Sequence, residues 1–209
     1  MTSRTSVIGN LLSAQVSIQG TRLLLWHHFG IDAIPLQKEE TEGVAGHNPG
    51  EWRRTVLMLP SRQLFIYNTY VFSCIRAAAP FIKRGKSLQL AVSATLQVEE
   101  EIIPITDRFV PKKPDLIERG QAVGELPPVF VHIQGVKNPS TGRRNIRYRV
   151  AAAPGWTCQF TLQWDKTVVS REEMEALCLS AGQLIGLGDG RTIGFGRFDV
   201  KSFVVADTS

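Results

Sequence analysis

SREEMEALCLSAGQLIGLGDGRTIGFGRFDVKSFVV, residues 170–205, carries three signals in succession. Ser170 and Glu173 stand at capping-box spacing, where the hydroxyl accepts the Glu173 amide proton and the Glu173 side chain reaches back. Behind them Met174, Leu177, Cys178, Ala181, Leu184 and Ile185 recur at helical spacing and form one apolar stripe, with Gly186 a natural stop. Glycines at 186, 188, 190, 194 and 196 then place five of the chain's 18 within eleven positions. Arg197–Val205 follows as a strand, with Phe198, Val200 and Phe203 as its apolar residues. Helix, glycine loop, strand reverses the order of a dinucleotide fingerprint, and no Gly-Lys-Ser/Thr ends the run as a P-loop requires. Such a loop can adopt positive φ and turn bare backbone N–H groups toward phosphates, with Arg191 and Arg197 adding charge. A glycine-rich turn packed tightly on a sheet explains the same residues, and physics alone leaves both readings open.

Working outward, Trp156–Trp164 reads as a strand with Trp156, Cys158, Phe160, Leu162 and Trp164 on one face. Val129–Val136 and Asn145–Ala152 form a hairpin across Asn138-Pro139-Ser140-Thr141-Gly142. Upstream, Pro104–Pro128 holds five of the eleven prolines and reads as an excursion from the core, with a short helix near Asp115–Arg119. Ser87–Val98 alternates cleanly and predicts a strand. Asn68–Ala79 carries a helical pattern, capped by Asn68 or Thr69 and disrupted at Pro80, with Arg76 off the apolar stripe. Arg53–Leu59 and Gln63–Ile66 read as a hairpin. The polar stretch Gly30–Glu51 reads as a long loop. A first strand is expected from Ala14 to His28, with Gly20 marking a bulge or close backbone approach. The order strand, helix, strands, then strand, helix, strand predicts an α+β, ferredoxin-like fold.

The chain has 209 residues, 43% hydrophobic and 21% charged, which excludes fibrous and wholly disordered classes. This length suits one domain over 1–209, with insertions around 30–66 and 104–128. No apolar run reaches the roughly 18 residues of a membrane span, and MTSRTSVIGN lacks the apolar core of a secretory signal. Cys74, Cys158 and Cys178 are far apart without a CxxC pair, as expected of buried thiols in a cytoplasmic protein. The four histidines lack helical ligand spacing, so neither a metal nor another cofactor is expected.

LIGLGDGRTIGFGRFDV, residues 184–200, resembles the glycine-rich loop of the RAMP superfamily of CRISPR-associated proteins. It is most similar to the backbone subunit that polymerises along CRISPR RNA. The order of the strand Val16–Trp26, the long loop, the hairpin and the helix also matches that subunit. Where the family has a Pro-Gly-Ser-Ser-like turn before this helix, the present sequence has Ile66-Tyr67-Asn68-Thr69-Tyr70, with Arg76 following. The resemblance implies an RNA-recognition-motif-like core with inserted loops. It implies binding of single-stranded RNA, CRISPR RNA or a phage or mobile-element counterpart, along the backbone and without base specificity. Further copies of the chain and other effector-complex subunits are the implied protein partners, with no membrane. Some relatives cleave target RNA with an Asp in the loop after the first strand, where Asp32 sits here. Others process CRISPR RNA with a His general base, which directs attention to His27 and His28.

Lys137, Arg143, Arg144, Arg147 and Arg149 fall in one hairpin with no acid among them, matching the chain's formal net charge of +5. Such a cluster favours an anionic partner. The expected phosphate contacts are the amides of Gly186, Gly188, Gly190, Gly194 and Gly196 and the side chains of Arg191, Arg197, Arg76, Arg143, Arg144 and Arg147. Tyr67, Tyr70 and Phe195 are the stacking candidates, while the tryptophans belong to the core. Single-stranded DNA, a metal-independent endoribonuclease and a self-assembling scaffold that binds no nucleic acid remain alternatives.

Overall fold

The computed structural model describes residues 9–31, 48–83, 86–118, 125–137, 142 and 144–206. Its main sheet is assembled from β1 (Leu11–Gly20), β3 (Gln63–Tyr67), β4 (Gln97–Val98), β5 (Ile102–Phe109), β9 (Thr157–Asp165) and β10 (Phe198–Ala206). The strand order is β10-β1-β9-β5-β3, with β4 also paired to β9. The alternation in β9 turns Cys158, Phe160, Leu162 and Trp164 inward, all buried, and the preceding Trp156 is buried as well. The helices α2 (Asn68–Ile82) and α4 (Arg171–Ser180) cover this sheet and pack on each other. In chain order, β1, α2, β4 with β5, β9, α4 and β10 form a β-α-β-β-α-β unit. Its strands lie in the order fourth, first, third, second and pair antiparallel, the ferredoxin-like arrangement.

The C-terminal unit forms as its local chemistry dictates. Ser170 caps α4 and both arms of the capping box are made, with Glu173 N to Ser170 Oγ at 3.1 Å and Ser170 N to Glu173 Oε2 at 3.1 Å. Met174, Leu177, Cys178 and Ala181 are buried, while Leu184 at the end of the stripe is 45% exposed. The helix widens into a π-helical turn, Ala181–Ile185, before Gly186 ends it with φ +85°. Burial pushes the Cys74 and Cys158 thiols up to about 12 and raises Cys178 as well, so all three stay protonated.

Several expectations are corrected. The first strand does not run unbroken to His28. It leaves the main sheet after Gly20 and resumes as β2 (Leu24–Leu25) in a second sheet with β6 (Leu116–Glu118), β7 (Val129–Lys137) and β8 (Arg144–Ala152), in the order β2-β8-β7-β6. Gly20 sits under the Trp156 indole, which occupies the position a Cβ would need. Ser87–Thr95 is a helix, α3, rather than a strand, and only Gln97–Val98 is extended. Leu88 and Val92, four residues apart, are buried, whereas Leu90, which a strand would place on their face, is 65% exposed. The Pro104–Pro128 stretch is not wholly an excursion. β5 belongs to the main sheet with Ile103 and Ile105 fully buried, and Leu116–Glu118 is a strand, β6, parallel to β7 rather than a helix.

The expected hairpin of Arg53–Leu59 survives only in its second half. Trp52–Thr55 is a one-turn helix, α1, and a single bridge joins Met58 to Leu64. Tyr67, not Asn68 or Thr69, occupies the N-cap of α2, and the helix passes Pro80 to end at Ile82. Two residues from the end, the missing proline amide forfeits only one hydrogen bond of the helix. The second hairpin forms as expected from β7 (Val129–Lys137) and β8 (Arg144–Ala152) in unbroken register.

Candidate nucleic-acid interface

Leu24 and Leu25 are both fully buried and carry the chain into the second sheet, which delivers His27 beside the first turn of α2. The glycine loop then closes over this junction. Asp189 N donates to Leu25 O at 2.9 Å, Gly196 N to Leu23 O at 2.7 Å and Leu187 N to Gly196 O at 2.9 Å. The result is a cleft of about 310 Å³ lined by His27, Thr69, Tyr70, Ser73, Gly188, Asp189 and Arg191. Against the single carboxylate of Asp189 it sets groups that suit an anion: one guanidinium, three hydroxyls and the opening turn of a 15-residue helix that has neither a side-chain cap nor an acid in that turn.

The glycine loop itself is mostly a folded turn. All five glycines have positive φ, and a Cβ at Gly188 would stand 2.5 Å from Leu25 O. Gly186 and Gly196 are buried and their amides are used within the protein, on Ala181 O and Leu23 O, while Gly194 N donates to Arg191 O. The donors expected to meet phosphates at these three positions are thus already satisfied within the protein. Gly188 and Gly190 are half-exposed at the rim, Gly190 against the Phe195 ring.

The arginines divide among different places. Arg191 lines the cleft, whereas Arg197 lines a separate depression with Thr21, Arg22 and Gln183. Arg76 is exposed on α2 and donates to Ser93 Oγ on α3 at 2.7 Å, away from the cleft lining. Arg144 is exposed at the start of β8, opposite Lys137. Arg143 and Asp32 lie outside the described residues.

Arg147 is not an unopposed cation, because it donates to Glu51 Oε1. Glu51 also faces His27 Nε2 at 3.2 Å and receives the Tyr148 amide at 3.2 Å. Burial works to raise the Glu51 carboxyl, but these hydrogen bonds and the Arg147 charge outweigh it and hold it below its ordinary 4.5. Arg149 is 3% exposed and donates to Asp189 Oδ2 and to Gln134 Oε1, both at 2.8 Å. Two acids distant in sequence thus answer two of the five cations of the basic hairpin, a pairing no local pattern reveals.

The histidine rings take different partners. His28 packs on Tyr67 at 5.6 Å and lies 3.4 Å from the Tyr70 hydroxyl. Burial, then the charges of Asp189 and Tyr67, raise the Tyr70 phenol above its usual value despite opposition from Arg191. Phe195 packs against His132 at 5.5 Å and does not line the cleft. All four tryptophans are buried. Among the described residues no three His, Cys, Asp or Glu side chains converge as metal ligands, and no helix is long and apolar enough to cross a membrane. Glu51, Thr69, Ser73 and Asp189 escaped the sequence reading; the small polar pair one helical turn apart after Tyr67 was the available signal for two of them.

No protein-family model matches the chain, and no curated protein aligns with it significantly. A solved structure does resemble it. A chain in the cryo-EM structure of the Type III-B Cmr-beta bound to cognate target RNA matches with a TM-score of 0.50 and 11% sequence identity. The match covers 94% of the present chain and 61% of that one. The likeness is one of fold. The chain spans less than two thirds of this neighbour's length.

Proposed function

We propose that the protein binds single-stranded RNA along its backbone, as a non-catalytic subunit of a RAMP-type ribonucleoprotein complex. The observation that carries this reading is the cleft itself, where Arg191, the Thr69 and Ser73 hydroxyls and the start of α2 converge at the rim of the glycine loop. The ferredoxin-like frame, shared with a chain of an RNA-bound assembly, supports the choice of ligand. One phosphate sits against Arg191 and the first turn of α2. Neighbouring phosphates extend toward the exposed cations Lys137 and Arg144 on the hairpin. Tyr70, half-buried at the cleft edge, offers a ring beside the strand. Copies of the chain lie side by side along a guide RNA with other effector subunits, in the cytoplasm.

Binding to a labelled oligouridine, titrated across salt concentrations, tests the proposal. Wild-type affinity should fall with salt, and Arg191→Ala should reduce the log–log slope by about 0.7, the loss of one phosphate contact on a single strand. An unchanged slope and affinity in Arg191→Ala would remove the cleft from the interface. Nucleic acid carried through purification, read by the ratio of absorbance at 260 and 280 nm, separates this reading from a scaffold that binds none.

A second reading rests on His27. Its ring lines the cleft and is held by Glu51, which suits a general acid or base acting on an RNA hydroxyl. Metal-free cleavage of bound RNA, abolished by His27→Ala and retained in His28→Ala, would favour it.

A further inference from the structure

We infer that Arg149 is a positioning residue for the RNA-binding cleft: it neutralises Asp189 and clamps the Gly188–Arg191 rim to the second sheet. The inference rests on the reading of the cleft as a phosphate site. Asp189 is the one acid lining that cleft among the described residues, and its carboxylate is 41% exposed. An uncompensated carboxylate there would repel the same phosphates that Arg191 attracts. Arg149 answers it from within the protein. Its side chain is 4% exposed, so it is not positioned to meet solvent-borne RNA, and both of its terminal nitrogens are engaged, one on Asp189 and one on Gln134 across the β7–β8 hairpin.

The clamp is two-sided. The backbone of Asp189 is tied to β2 through its amide on Leu25 O, and its side chain is tied to β8 through Arg149. The rim residue therefore bridges two strands that are themselves neighbours in the second sheet. Arg191, two residues further on, takes its place over the cleft from this anchored point. The basic hairpin accordingly does two jobs: its exposed end offers charge to the ligand, and its buried end sets the geometry of the loop.

Two measurements test this on the full chain. In binding to labelled oligouridine, Arg149→Met should weaken affinity about tenfold, with a salt slope close to wild type, because no phosphate contact is removed. Arg149→Met combined with Asp189→Asn should recover most of that loss, since the repelling charge is gone, and Arg149→Lys should fall between. A double variant as weak as Arg149→Met, or a slope reduced by about 0.7 in Arg149→Met, would overturn the positioning role in favour of direct contact. Hydrogen exchange of the apo protein supplies the second readout. The Asp189 and Gly196 amides should exchange faster in Arg149→Met while those of β9 keep their protection. Equal protection of the loop in both proteins would overturn the clamp. Wild-type protein that fails to bind oligouridine would defeat the RNA reading alone, and the exchange comparison would still decide the clamp.

Discussion

At the scale of single residues, glycine choice along the loop follows the space around each Cα. Gly196 has φ +70° and its missing Cβ faces the Leu187 carbonyl, whereas Gly194, also left-handed at φ +92°, has nothing within 4 Å. Gly194→Ala should therefore cost about 1–2 kcal/mol, the penalty of a side chain in that backbone region. Gly196→Ala should cost clearly more, because the loop must also move away from Leu187. Urea midpoints of the two variants measure the difference. Glu51 makes a pH prediction of definite sign. Its folded carboxyl titrates below the ordinary 4.5, so the unfolded chain holds its proton more tightly. The resulting stabilisation is complete above that value and is lost as pH falls through the folded pKa. Glu51→Gln should lower stability near neutrality and flatten its decline in acid, as read from denaturant midpoints across pH 2–7.

Elements were decided by whether their signals were local. The capping box of α4 needs only four consecutive residues, and it formed where the sequence placed it. Ser170→Ala should cost about 1 kcal/mol by removing the acceptor for the Glu173 amide, measured by thermal unfolding. Ser87–Thr95 shows the opposite case. Its alternating residues suit a strand, yet Leu88 and Val92 also satisfy a helical i,i+4 stripe, and packing against α2 selected the helix. Leu88→Ala should accordingly cost about 2–5 kcal/mol, while Leu90→Gln stays within about 0.5 kcal/mol. A strand would make both substitutions costly, so comparing the two variants by chemical denaturation distinguishes the cases.

For the molecule as a whole, charge is arranged rather than simply accumulated. The formal excess is +5, and the basic hairpin contains two arginines already engaged by Glu51 and Asp189. The available cations of that hairpin are its exposed ones, including Lys137 and Arg144. Removing both together should lower the salt slope of oligouridine binding by about 1.4, twice the single-contact value, while Arg147→Ala leaves the slope near wild type. Equal slope changes for Arg144→Ala and Arg147→Ala would show that the Glu51 pair opens on binding.

The sequence by itself determined α4 with its cap, the β7–β8 hairpin and the inward face of β9, because each depends on spacing within one element; the strand after α2 it placed at Ser87–Val98, where a helix stands. It also located the glycine loop and Arg191. Tertiary structure decided the rest: that β1 breaks at Gly20 to feed a second sheet, that Ile102–Phe109 is a central strand, and which loop amides are already satisfied. It alone revealed that Glu51 reaches Arg147 across 96 positions and that Asp189 reaches Arg149 across 40. Periodicity reports which face of an element is apolar. It carries no information on which distant charge will be brought against that element, since that depends on where the chain returns after folding.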